Sequence, residues 1–230
     1  MNDTNSFEEG RVILIDKALR WTSFDVVRKI RNLIRIRKVG HAGTLDPLAT
    51  GLLIVCTGKY TKRINEYMAK EKEYTGTFTL GATTPTYDLE SEPENFRSLE
   101  GITEEQIRDA TRQFIGDIQQ VPPVHSAIKQ QGKPVYLLAR RGVEVTLEPR
   151  RIHISEFEIT KITLPEIHFR VVCSTGTYIR SLAQDFGQAL GSGAYLSALR
   201  RTRIGEFRVD EGITIEDFVQ VVDGESSADQ

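Results

Sequence analysis

Residues 38–58 read KVGHAGTLDPLATGLLIVCTG, and no other stretch limits the fold as tightly. Four glycines, an Asp-Pro step and a glycine-bounded apolar run describe a tight loop that presents Asp46 and then enters a buried strand. Pro47 confines Asp46 to extended conformations, and Gly40, Gly43 and Gly51 admit positive φ or close approach of another chain. The residues alone leave two readings open. Asp46 either closes a simple Asx-turn between two elements or is a carboxylate held out toward a ligand.

The rest of the chain alternates between helix and strand patterns. RVILID (11–16) has strand composition, and Thr22 or Ser23 caps a helix carrying Phe24, Val27, Ile30 and Ile34 on one stripe. YTKRINEYMAK reads as a helix, EYTGTFTLG as a strand and the polar residues 83–101 as a surface loop. Thr103 and Gln106 have capping-box spacing ahead of a helix running to about Gly116. Residues 121–142 form a basic excursion with tandem prolines. RIHISEFEIT and EIHFRVVC alternate as an antiparallel pair, and TYIRSLAQDFGQALG is amphipathic through Ile179, Leu182, Ala183 and Phe186. This order predicts an α+β fold around a mixed, largely antiparallel sheet with flanking helices. Residues 1–10 are expected to be a flexible lead-in, and the residues after 222 an acidic tail.

Composition narrows the function classes. A chain of 230 residues with 39% hydrophobic content can bury a core, and no apolar run approaches membrane-spanning length. The N-terminus lacks signal-peptide order, so a cytoplasmic protein is expected. Cys56 and Cys173 lie in apolar runs and read as reduced, buried thiols, and the four scattered histidines offer no metal-ligand spacing. The net charge of −2 hides an asymmetry: residues 11–40 hold nine Lys/Arg against two acids, whereas residues 83–109 hold eight acids against two bases. A polyanion binds a face rather than an average, so this pattern permits a basic RNA-facing surface, although solvated helix faces would look similar.

The string GHAGTLDPLATG resembles the GGTLDP–A–G–L signature of TruB-type pseudouridine synthases nearly residue for residue, and the resemblance continues from about residue 11 to 220. DKALRWTS resembles the family's opening DKPxGxTS motif, placing its lysine on Lys17, with departures at Ala18 and Trp21. KEYTGTFTLG resembles the strand that carries the active-site tyrosine, here Tyr74. Residues 117–146 resemble the thumb that pinches RNA. CSTGTYIRSLAQDFG supplies Tyr178 and Arg180, and GAYLSALRRTRIG is similar to the closing basic segment with Arg200 and Arg201. A single catalytic domain over 11–222 is implied. The chain stops before the PUA domain usual in bacterial members, so RNA binding is expected to rest on the catalytic domain's own basic segments.

The resemblance implies a tRNA pseudouridine(55) synthase acting on the T-loop uridine of the tRNA T-arm, with Asp46 as catalytic carboxylate. The isomerisation needs no metal and no cofactor. Arg180 is the expected cation opposing a desolvated carboxylate, and Tyr74 the ring that stacks on the flipped uracil. His41, Tyr178, Lys17, Lys129, Arg200 and Arg201 are expected to contact the RNA. A monomer is expected, with a tRNA-folding role accompanying catalysis. The competing readings are a ribosomal-RNA synthase of another family, against which the wording of the Asp46 motif speaks, and a non-catalytic RNA-binding module.

Overall fold

The computed structural model describes residues 3–124, 129–130, 133–134 and 147–228. In chain order the elements are α1 (Asp3–Glu9), β1 (Val12–Lys17), α2 (Ser23–Ile34), β2 (Val39–Ala42), β3 (Ala49–Thr57), α3 (Ile64–Ala69) and β4 (Lys72–Leu80). They continue through α4 (Glu104–Asp109), β5 (Gly116–Gln120), β6 (Lys129–Gln130), β7 (Lys133–Pro134), β8 (Arg150–Thr163) and β9 (Glu166–Cys173). The last are α5 (Ile179–Ala189), β10 (Ala194–Ile204), β11 (Phe207–Arg208) and α6 (Ile215–Ala228). The chain groups into two compact units, residues 1–74 with 199–230, and residues 75–198. Strands β4 and β10 each begin in one unit and end in the other.

In the first unit β3 is the central strand. It pairs antiparallel with β1 along one edge, from Val12 opposite Cys56 to Lys17 opposite Gly51. Along the other edge it pairs antiparallel with β2 and, at its start, parallel with β10. Its side chains are buried on both faces, which explains the unbroken apolar run. Leu53 and Val55 join a cluster with Ile15, Val26, Val27, Ile30, Ile34 and Phe218, while Leu52, Ile54 and Cys56 pack with Tyr67 and Ile204. Helix α2 starts where the sequence indicates. Thr22 accepts from the backbone N–H of Asp25, and Asp25 caps Thr22 in return. Its apolar stripe is shifted from the expected one, however. Val26 is fully buried and Phe24 is 60% exposed.

The second unit holds β4, β9, β8 and β5 in that order, with β8 and β9 antiparallel as their alternation predicts. Its core is aromatic: Phe78 and Phe169 lie 4.1 Å apart between ring centroids, and Phe186 of α5 lies 5.6 Å from Phe157. Ile179, Leu182, Ala183 and Phe186 form the buried side of α5. Residues 83–101 contain no helix or strand element. The Thr103–Gln106 capping box is present, but its helix ends at Asp109 and Gly116 already opens a strand.

Both described chain ends are helical. Residues 3–9 are helical, with Phe7 buried against Phe218 and its carbonyl accepting from the Thr57 hydroxyl at 2.8 Å. The buried ring, this hydrogen bond and the Lys59–Glu9 ion pair tie an otherwise polar segment to the core. The acidic C-terminal residues continue α6 to Ala228. Of the expected thumb, residues 125–128, 131–132 and 135–146 lie outside the described residues. Lys129 sits in the β6–β7 hairpin, opposite Pro134. Both cysteines are free and buried.

Candidate active site

Asp46 lies in the connection from β2 to β3, and the backbone on either side of it is fixed by partners distant in sequence. The Leu45 N–H donates to the Ser23 hydroxyl at 2.9 Å, so the first turn of α2 holds the residue before Asp46. The Arg20 N–H donates to the Pro47 carbonyl at 2.7 Å, holding the residue after it. The Asp46 carbonyl accepts from the Ala49 N–H at 3.0 Å, closing the turn into β3. The aspartate is thus a carboxylate on a clamped loop.

A buried cation completes the clamp. Arg201 is 1% exposed and donates from Nε to the Leu52 carbonyl at 2.8 Å and from Nη2 to the Gly43 carbonyl at 3.0 Å. Its own backbone runs against Gly51, whose φ is +100° and where a Cβ would stand 2.3 Å from the Arg201 carbonyl oxygen. Only glycine allows the parallel pairing of β3 and β10 at this point. Arg201, expected as an RNA contact, is buried and braces the loop from within, through donors to two backbone carbonyls. Arg200 stays part-exposed, and its guanidinium makes a two-pronged pair with Asp16, at 3.0 and 2.6 Å.

Lys17 is also fully buried and donates to the carbonyls of Ala18 and Trp21. Burial pushes its pKa down to about 8; the Asp46 carboxylate works against this and Arg201 adds to it. Lys17 is therefore an internal charge beside Asp46, with its hydrogen bonds directed at the 18–21 turn and not at a surface. His41, on β2, is half-buried. Burial first, and then the Arg201 charge, lower its pKa, so the ring favours its neutral form, and its buried Nδ1 has no hydrogen-bond partner among the described residues. Lys17, His41, Asp46 and Arg201 thus form one electrostatic group. Tyr74 lies on β4 and is 8% exposed.

In the second unit, Arg180 opens α5 and is 4% exposed. Its Nη1 donates to the Thr86 carbonyl at 3.3 Å, and its Nε lies 3.7 Å from Asp88, itself 3% exposed. The Tyr178 backbone is gripped from both sides by the Gln120 amide: its N–H donates to Oε1 at 2.8 Å and its carbonyl accepts from Nε2 at 3.1 Å. Asp88 and Gln120 were not marked by the sequence reading. Asp88 sits in a stretch where acids are common, and no local motif sets it apart; in the structure its neighbour Tyr87 adopts a left-handed φ of 64°. Burial raises the Asp185 pKa to about 6.

The N-terminal domain profile of the TruB family pseudouridylate synthases matches residues 31–179, and the profile of the tRNA pseudouridylate synthase B C-terminal domain matches residues 180–229. The chain is 54% identical to the tRNA pseudouridine synthase B of Flavobacterium johnsoniae, over 91% of this chain and 95% of that protein. It is 52% identical to the one of Phocaeicola vulgatus, over 95% of both. Among solved structures it resembles a chain of a Cbf5-Nop10-Gar1 complex, with a TM-score of 0.74 and 32% identity. It also resembles a chain of an H/ACA RNP bound to a substrate RNA, with a TM-score of 0.70 and 30% identity. It covers 56% and 55% of those chains. The clamped aspartate, the buried cations beside it and these similarities over nearly the whole length agree: the chain belongs to the TruB family of pseudouridylate synthases, which are isomerases.

Proposed function

We propose that the protein converts the T-loop uridine at position 55 of tRNA to pseudouridine, with Asp46 as the catalytic carboxylate. The observation that carries this reading is the clamping of Asp46. Leu45 and Pro47 are each held by α2 or the turn before it, and Gly43 is held by a buried arginine. A loop fixed in this way can keep one carboxylate oxygen in place while a base turns beside it. The reaction breaks the bond from uracil N1 to C1′ and joins C5 to C1′. The C5 proton leaves and N1 regains one, so nothing is gained or lost overall. Asp46 acts as the nucleophile or proton acceptor that opens the glycosidic bond. Tyr74 stacks on the flipped uracil, and Arg180 is the motif arginine that accompanies them. Extruding the base costs a few kcal/mol, which contacts to the unstacked loop offset.

Flipping and refolding a T-loop would also help tRNA reach its fold without any chemistry, and one variant separates the two activities. Asp46→Asn keeps the shape and removes the charge. Incubated with an unmodified tRNA transcript and mapped by carbodiimide primer extension, the wild type should give a stop at uridine 55 and the variant none, while filter binding shows RNA affinity retained. Turnover by Asp46→Asn would remove Asp46 from the mechanism. A stop at a different uridine would overturn the site assignment.

A further inference from the structure

Beside the Asp46 loop lies a cavity of about 310 Å³ lined by Arg20, Trp21, Asp25, Arg28, Lys29 and Asn32. Its volume is in the range of small-ligand sites. The one acid is already engaged: Asp25 accepts from Thr22 and from Arg28 at 2.7 Å, and the Thr22 hydrogen bonds hold its pKa below the usual carboxylate value. Arg20 and Lys29 add further positive charge to the rim. Trp21 is half-buried against the core cluster and lines the cavity, and it is the single tryptophan of the chain.

The backbone marks the same place. Arg20 adopts a left-handed φ of 67°, a conformation that glycine takes without cost and a side chain does not. A side chain kept at a strained position, lining a cavity, points to a function for that side chain. Arg20 is also the residue whose N–H is bonded to the Pro47 carbonyl, one position beyond Asp46. The cavity and the catalytic loop therefore share a hydrogen bond.

We infer that this cavity is a second nucleotide site, taking an unpaired RNA nucleotide that flanks the target uridine. Its base stacks on Trp21, and its phosphate is held by Arg20, Arg28 and Lys29. An aromatic face with adjacent cations is the pattern that binds single-stranded nucleic acid. The inference rests on the tRNA reading above and extends it by a separate contact.

Trp21 supplies its own reporter. Titrating Asp46→Asn protein with unmodified tRNA should quench tryptophan emission saturably, with the same midpoint as filter binding. Arg28→Gln with Lys29→Gln should weaken RNA binding about tenfold and lower the slope of log affinity against log salt by about 1.4–1.8. Arg20→Gly should raise the melting temperature yet weaken RNA binding several-fold, a combination that a purely structural arginine cannot give. Unchanged emission at RNA saturation, or an unchanged salt slope in the double variant, would overturn the second site. Quenching by uridine monophosphate alone and not by RNA would overturn the assignment to an RNA strand. Absence of any pseudouridine in tRNA treated with wild-type enzyme would instead overturn the substrate reading itself.

Discussion

Arg201 donates to the carbonyl oxygen of Gly43 from 158 residues away, and that hydrogen bond fixes the loop three positions ahead of Asp46. The guanidinium spans two carbonyls, of Gly43 and Leu52, which a lysine ammonium on its flexible stem cannot match in geometry. Arg201→Lys should therefore fold and bind tRNA within about threefold of wild type while single-turnover pseudouridine formation falls on the order of 100-fold, the scale of a small misplacement of a catalytic group. Quench-flow rates beside filter-binding affinities check this. Equal losses in both would mean that Arg201 meets the RNA after all.

Gly51 gives a stability prediction from the same contact. A Cβ there would fall 2.3 Å from the Arg201 carbonyl oxygen and 2.8 Å from its nitrogen, at a φ of +100°. Both neighbours are backbone and cannot swing away. Gly51→Ala should cost at least about 3 kcal/mol, combining strain with forced separation of β3 from β10. Urea denaturation would show it as a lower midpoint.

Lys17 predicts a pH dependence. Its pKa falls from 10.5 unfolded to about 8 folded, so between those values the unfolded chain binds more protons. Stability contributed by this group must then rise with pH from about 8 toward 10.5, by about 3 kcal/mol in full. Below pH 8 the lysine is charged in both states, and its burial cost is borne in full. The gap in unfolding free energy between wild type and Lys17→Met, measured at pH 7.5, 9 and 10, should move in favour of wild type at each step. A constant gap would show that Lys17 is not strained by burial.

Arg180 and Asp88 should couple. Both are almost fully buried, with 3.7 Å between Nε and Oδ2, so losing one leaves the other charge in a poorly solvated place. Arg180→Ala alone should cost roughly 3–5 kcal/mol. The Arg180→Ala/Asp88→Asn double variant should be less destabilised than the sum of the singles, by about 1–3 kcal/mol. Additive costs would dissolve the pair, and turnover of Arg180→Ala within about threefold of wild type would remove Arg180 from the active residues.

What the sequence disclosed followed from local chemistry. The Asp-Pro step with its glycines, the Thr22 and Thr103 caps, the β8–β9 alternation and the α5 stripe each depend on neighbours within a few residues, and each appears where expected. Phase was harder. Phe24 and Val26 both fit a helical stripe with Val27, Ile30 and Ile34, and the choice between them depends on what packs against α2. Long-range roles were hidden. Arg201 reads as one more surface cation until the carbonyls of Gly43 and Leu52 close around it, and Asp88 is one acid among many until Arg180 arrives. The cavity at Trp21 went unseen because it combines a turn, an indole and one helix face.

The parallel pairing of Ala49, Thr50 and Gly51 with Leu199, Arg200 and Arg201 bears on how the enzyme is made. During synthesis the Asp46 loop leaves the ribosome long before the strand that braces it. Closing so large a loop is entropically slow, and folding dominated by such distant pairings is slow as well. The nascent chain can build β1, α2 and β3 from contacts local to its first 60 residues, yet the carboxylate loop stays unbraced until β10 is delivered. Activity should thus appear late and all at once, and chains released before residue 201 should bind little RNA and isomerise none.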